Sequence, residues 1–373
     1  MDRFFKEQDP ETVLTWAESR ADAYRWPRTV LYLPVATLSL FVLGLLGFIS
    51  YFPAVILLFL QVLIAAPGDR KVQEHFIKTE KAVKRLKRYE KIMCFIEQEN
   101  FKAPLLVAQK KHLYSAGRFA SRQIRSLVNI VDRNNLRFSN ALIYFIVKFV
   151  LLWDLWTLKM LGDWQKSCGM FVRSWFDSTG EVEALSSLAG LYHDNPHWVF
   201  PRFQNIPPAL QAENLGHPLI APAERVGNDL SICGPGSFFM ITGSNMSGKS
   251  TFLRTIGINL VLAYAGGPVC ATKFTCSIME IYSKMQVLDN LEERISTFYA
   301  ELLRMKMIID AAGKGEPLII LLDEIFRGTN PRDRIFATRT IIRHLHRLNM
   351  IGFVTTHDLE LGELEDEYNG LIH

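Results

Sequence analysis

Residues 241–251 read Ile-Thr-Gly-Ser-Asn-Met-Ser-Gly-Lys-Ser-Thr, and no other stretch restricts the fold as tightly. Gly243, Gly248, Lys249 and Ser250 meet the G-x-x-x-x-G-K-[ST] spacing of a loop that cradles nucleoside phosphates. An apolar run, Phe238 to Ile241, leads in as a strand does, and the periodic stretch Thr251 to Ala265 leads out as a helix does. Backbone N–H groups at that helix N-terminus, with the helix dipole behind them, form an anion site. Gly243, Ser244, Asn245, Met246, Ser247, Gly248, Lys249, Ser250 and Thr251 are the expected phosphate contacts. Lys249 is expected at the β- and γ-phosphates, and the Ser250 hydroxyl on magnesium.

Three downstream segments follow in a compatible order. Leu318-Ile-Ile-Leu-Leu-Asp323-Glu324 reads as a buried parallel strand with two acids at its C-terminal edge, where open α/β sheets bind ligands. Asp323 is placed to hold Mg2+, and Glu324 to orient and deprotonate an attacking water. Met350 to Thr356 is a second apolar strand, and His357 at its end falls on the same edge. Ser296-Thr297 with Glu301 before Leu302 and Leu303 reads, on its own, as a helix N-cap.

Together these segments resemble the ATPase domain of the DNA mismatch-repair MutS family. Asn245 and Met246 match that family's G-P-N-M-G-G-K-S loop. Ser296 to Glu301 is similar to its S-T-F-x-x-E signature, Asp323 to Thr329 to its D-E-L-G-R-G-T, and Thr356-His357 with Glu360-Leu361 to its T-H-x-x-E-L. Upstream, Glu183 to Ala189, Phe200-Pro201, Gly216 to Leu219 and Asn228 to Leu230 resemble the approach to that domain. The resemblance covers about residues 180–365.

It implies an ABC-ATPase-like α/β P-loop fold, ATP with Mg2+ as the ligand, and Glu324 and His357 as catalytic residues. It also implies a homodimer in which Ser296 of one copy completes the phosphate site of the other, DNA as a partner, and His217 and Asn228 on the adenine side. The chain departs from the pattern at Ser244 and Ser247 (Pro and Gly in the family), at Phe326 (Gly), and at Asn330-Pro331-Arg332. These changes bear on hydrolysis rate more than on binding. No separate mismatch-reading domain is expected before the core.

From Thr29 to Ala66 there is no charged residue. One bilayer crossing needs about 20 apolar residues, and this run is nearly twice that. Gly44, Gly47, Ser50 and Pro53 interrupt it. The expectation is a transmembrane helical hairpin turning near Phe48 to Pro53. Arg20, Arg25 and Arg28 precede it and Arg70 and Lys71 follow, so both flanks are expected on the cytoplasmic side of a multi-pass cell-membrane protein. A buried hairpin in a water-soluble core is the competing reading.

Residues 69–195 read as an all-α core or lever region. Val83, Leu86 and Tyr89 recur at helical spacing among the basic residues of Lys78 to Lys91. Such a stretch suits a solvated face or anionic lipid before nucleic acid. Arg118, Arg122 and Arg125 share a helix face. The segment Ala141 to Leu161 contains Lys148, Asp154 and Lys159, which favours core packing over a third crossing.

The expected organisation is therefore 1–68 with the hairpin, 69–195 helical, and 196–373 as the P-loop domain, C-terminally incomplete relative to the family. Its 373 residues suffice for several domains. The formal charge of +4 is too mild to specify nucleic acid by itself. Five cysteines without metal-ligand spacing fit a reducing compartment. Apolar spans plus an ATPase sheet also describe an ABC-type transporter subunit, but that class carries more crossings and an L-S-G-G-Q signature, not found here. A nucleotide-binding scaffold with little turnover is a third reading.

Overall fold

The computed structural model describes residues 11–19, 27–65, 69–134, 141–205, 207–244, 247–285, 297–326, 330–358 and 360–361. It contains two compact units, Met1–Leu185 and Ser186–His373.

The first unit is helical. Its core joins α1 (Glu11–Glu18), α4 (Asp69–Gln98), α6 (Ala120–Asn134) and α8 (Trp153–Cys168). On α4, Thr79, Ala82, Val83, Leu86 and Met93 are buried. That is the i, i+3, i+4, i+7 stripe of an amphipathic helix, with the basic residues left on the other side. Two buried indoles of this core find acceptors, as most buried N–H groups do. Trp164 Nε1 donates to the Gln123 carbonyl at 2.9 Å and Trp175 Nε1 to Ser115 Oγ at 3.1 Å. The region is not purely helical. After α5 (Pro104–His112) the chain forms a small antiparallel ladder, β1 (Tyr114–Ser115) with β2 (Arg118–Phe119).

The Ala141–Leu161 segment is two helices, α7 (Ala141–Leu151) and α8, separated at Leu152, whose φ is 49°. Asp154 is buried and accepts from the Tyr144 hydroxyl at 2.8 Å. The chain leaves the unit through α9 (Val172–Asp194).

The apolar run Thr29–Ala66 folds as two helices, α2 (Leu33–Leu45) and α3 (Phe52–Ala65). Among the described residues no helix is long and apolar enough to cross a membrane. The expected pair of crossings is therefore corrected to a shorter hairpin. The cause is local: Gly47 takes a left-handed φ of 77°, and the helix closes with Gly47 N–H to the Gly44 carbonyl and Phe48 N–H to the Leu43 carbonyl. Paired closing bonds of this kind end a helix.

The second unit is built on a parallel sheet ordered β6 (Ser237–Thr242), β10 (Met350–Thr356), β9 (Leu318–Asp323), β8 (Glu280–Lys284). Every residue of β9 and β10 is buried, because both faces are covered, which is why these strands read as unbroken apolar runs. On one face, Ile319, Leu321, Ile351 and Phe353 pack with α10 (Lys249–Tyr264). On the other, Ile320, Leu322 and Val354 pack with α11 (Thr297–Ala312) and α12 (Pro331–Leu345). A second sheet, ordered β3 (Arg202–Phe203), β7 (Lys273–Cys276), β4 (Ala209–Leu215), β5 (Asn228–Cys233), shares the α10 core.

Candidate nucleotide site

The strand–loop–helix expected around Gly243 forms as β6, the loop and α10. Gly248 caps α10 with φ 91°, a conformation that costs glycine little. Lys249 is buried, and its ammonium donates to the carbonyls of Gly243 and Ser244 at 2.8 Å each. The Ser247 hydroxyl lies against Gly243, where an added Cβ would meet it at 3.1 Å. Asn245 and Met246 lie outside the described residues, as do Ser296 and Arg327 to Thr329.

Register brings the acids to the same edge. Thr355 of β10 is opposite Asp323, and Thr356 is opposite Thr242. Asp323 thus ends β9 one strand away from the end of the strand that feeds the phosphate loop, with β10 between. Asp323 is buried, and its Oδ1 accepts from Thr355 Oγ1 at 2.7 Å. Thr355 Oγ1 also accepts from the Glu324 backbone N–H at 3.2 Å. His357 joins the two halves: Nδ1 lies 2.8 Å from the Gly243 carbonyl and Nε2 2.5 Å from Glu324 Oε1. A cavity of about 290 Å3 opens here, lined by Glu324, Arg334, Thr338, Thr355, Thr356 and His357 among others.

Beneath the acids lies a support that the sequence reading did not identify. Lys284, ending β8, donates to the carbonyls of Asp323 and Glu324 at 3.2 and 2.6 Å and pairs with Glu301 of α11 at 2.9 Å. Glu301 Oε2 also accepts the Phe326 N–H at 2.9 Å. Phe326 and Glu324 both have positive φ, 58° and 46°, and for non-glycine residues this is strained backbone. The phenylalanine that replaces the family glycine keeps the glycine-like conformation and adds a buried ring. β8 itself, Glu-Ile-Tyr-Ser-Lys, carries no sequence signal for this role.

Asn330 and Pro331, noted as departures, start α12: Asn330 Oδ1 accepts from Arg332 N–H at 3.4 Å, and Pro331 takes the first turn. This is the ordinary cap-then-proline signature. Arg334 forks onto Asp358 at 2.6 and 2.7 Å. The guanidinium holds the Asp358 carboxyl below its ordinary range.

His217 lies beside α10. Burial first, then the charges of Arg254 and Arg225, lower its pKa, and its Nδ1 accepts from Leu219 N–H at 3.2 Å. Asn259, fully buried, anchors this corner by donating to the Gly216 carbonyl at 3.0 Å and accepting the Cys270 N–H at 2.8 Å. Asn228 is exposed at the start of β5, opposite Leu215.

A parallel sheet with a Lys-bearing phosphate loop and two acids at one edge defines a P-loop nucleotide-binding domain. Comparison with known families specifies it further: residues 239–373 match MutS domain V, an ATPase domain of the P-loop type. Among full-length proteins, the chain is 32% identical over 200 residues to the DNA mismatch repair protein MutS of Listeria monocytogenes serotype 4a, covering 52% of this chain and 23% of that one. The MutS of Streptococcus mutans serotype c is 31% identical over 204 residues, 52% and 23%. That of Aquifex pyrophilus is 32% identical over 197 residues, 52% and 22%. The chain thus aligns with under a quarter of the length of these curated relatives.

Proposed function

We propose that this chain is a MutS-like ATPase that turns ATP and water into ADP and phosphate and uses the cycle to control homodimerisation and binding to DNA, mismatched or branched DNA included, in a DNA-repair role. The observation that carries this reading is the junction at His357, one ring touching both the phosphate loop and the Glu324 carboxylate.

Loop N–H groups and Lys249 bind the β- and γ-phosphates. The donor set fits Mg2+: the Ser250 hydroxyl opens the helix after the loop, and the buried Asp323 carboxylate is oriented by Thr355. Among the described residues no three or more His, Cys, Asp or Glu side chains gather to hold a metal alone. A nucleotide-borne Mg2+ needs only one or two protein ligands. When bound it supplies positive charge against the phosphates. Glu324 orients the attacking water and takes its proton, and His357 fixes the carboxylate that does so. Ser296 of a second copy closes the site, and the charge-free 29–66 segment holds the chain at the cytoplasmic face of a membrane.

Turnover by the detergent-solubilised chain, measured beside Glu324→Gln, tests the enzyme. Wild-type turnover well above the variant is expected, and equal rates refute it. ATP-dependent dimerisation by sedimentation should disappear in Ser296→Ala. Salt-dependent binding to duplex or branched DNA is expected with ATP present, and no binding at low salt removes DNA. On the helical unit, Arg125 is already paired with Glu90 and Arg122 lies near the Glu97 carboxylate, so that patch is partly neutralised.

A further inference from the structure

The hairpin of α2 and α3 is built inside out. Its outward side chains are apolar apart from Ser39: Val35, Leu38 and Phe41 on α2 and Phe52, Val55 and Phe59 on α3 are each at least half exposed. Its long polar side chain points inward. Gln61 is 0% exposed and donates from Nε2 to Thr37 Oγ1 at 2.8 Å, and Thr37 donates in turn to the Leu33 carbonyl at 2.9 Å. A face made for a protein partner carries a polar rim; between Val35 and Phe59 no charged residue occurs, and the exposed polar side chains are only Ser39, Ser50 and Tyr51. Helices apolar all round suit hydrocarbon.

The tip is apolar too. Phe48 is 75% exposed and Leu46 61%. A turn lying in the far headgroup layer would carry charged residues; here the polar ones are Ser50, which accepts from the Phe52 N–H, and Tyr51, whose ring packs on Phe41. Here the closing backbone N–H groups of Gly47 and Phe48 bond within the turn, as lipid requires. Length agrees: 13 and 14 residues make helices of about 20 Å, against a hydrocarbon layer of about 30 Å. At the other end, Leu31, Ile64 and Ala65 pack on Leu152 and Leu155, so the base belongs to the helical unit. Basic residues flank that base in the sequence, Arg25 and Arg28 before and Arg70 and Lys71 after, a charge pattern that favours anionic headgroups.

We infer that α2 and α3 form a re-entrant hairpin that enters and leaves a bilayer through one face, its tip ending inside the hydrocarbon. This rests on the membrane attachment proposed above and specifies its depth.

The test uses the full chain with vesicles of equimolar phosphatidylcholine and phosphatidylserine. Wild type is expected to float with the vesicles. Leu38→Asp should float about a hundredfold less, since a carboxylate is expelled from hydrocarbon, while its ATP turnover in detergent stays at the wild-type level. For depth, Phe48→Cys is combined with Cys94→Ser and Cys233→Ser, and a nitroxide is attached at 48; Val226→Cys in the same background is the aqueous control. Oxygen should quench the label at 48 far better than a water-soluble nickel chelate on either side, and the order should reverse at 226. If nickel chelate sealed inside the vesicles reaches position 48, the hairpin crosses: the re-entrant depth is overturned and membrane attachment stands. If wild type does not float, or Leu38→Asp floats as wild type does, the lipid-facing hairpin itself is overturned.

Discussion

Replacing Glu301 by alanine should loosen the turn that carries both acids. The carboxylate has two duties: one oxygen pairs with Lys284 and the other accepts the Phe326 N–H, each at 2.9 Å. Phe326 is buried, so its stranded N–H costs about 1–2 kcal/mol. The lysine and glutamate side chains are 12% and 20% exposed, so the figure for breaking a fully buried pair is discounted to about 1–2 kcal/mol. The total is about 3 kcal/mol, or about 6–12 °C in the melting temperature of a body this size. Glu301→Gln keeps an acceptor for Phe326 and should lose about half as much. Calorimetry on the full chain reads the melting of the second unit, and turnover reads the acids; both should fall in the order wild type, Gln, Ala. A Glu301→Ala chain melting within a degree of wild type would refute the reasoning.

Three further outcomes are expected. Arg334→Ala should cost about 2 kcal/mol at neutral pH, the worth of a charge-assisted fork. The Arg334 guanidinium holds the Asp358 carboxyl in the fold below its ordinary value of 3.8, so this stability is full above about 3.8 and is lost as pH falls through the folded value; melts of the two proteins should converge in acid and stay apart at pH 7. Phe326→Gly relieves about 1–2 kcal/mol of left-handed backbone but deletes a buried ring worth about 3–5 kcal/mol, so a net loss of about 2–3 kcal/mol is expected in the melt; a stabilised variant would contradict this balance. Burial pushes the Cys276 thiol up to about 12, whereas Cys233 is exposed, so native-state alkylation followed by mass spectrometry should modify Cys233 and spare Cys276.

What could be read from the chain was local. The phosphate loop and the Asp323-Glu324 strand end are runs in which composition and function coincide, and both strands appear within a residue of where the pattern put them. What escaped depends on register between distant segments. Nothing near Lys284 or Thr355 in the sequence announces that strand pairing will set one under the Glu324 carbonyl and the other against Asp323. Asn330-Pro331 was visible only as a departure from a family pattern, although a cap residue followed by proline is a helix start in its own right. The apolar run was legible as a hairpin, but the length of its arms was not. Total length suggested two crossings, and Gly47 divides it into arms too short for that.

The imidazole of His357 has a mechanical consequence. Because the same ring touches the Gly243 carbonyl and the Glu324 carboxylate, the strand end that opens the glycine-rich loop and the acidic turn after β9 are tied through a single side chain. On the proposed function, a displacement of the Gly243 carbonyl by bound nucleotide would be felt at Glu324 through this one ring.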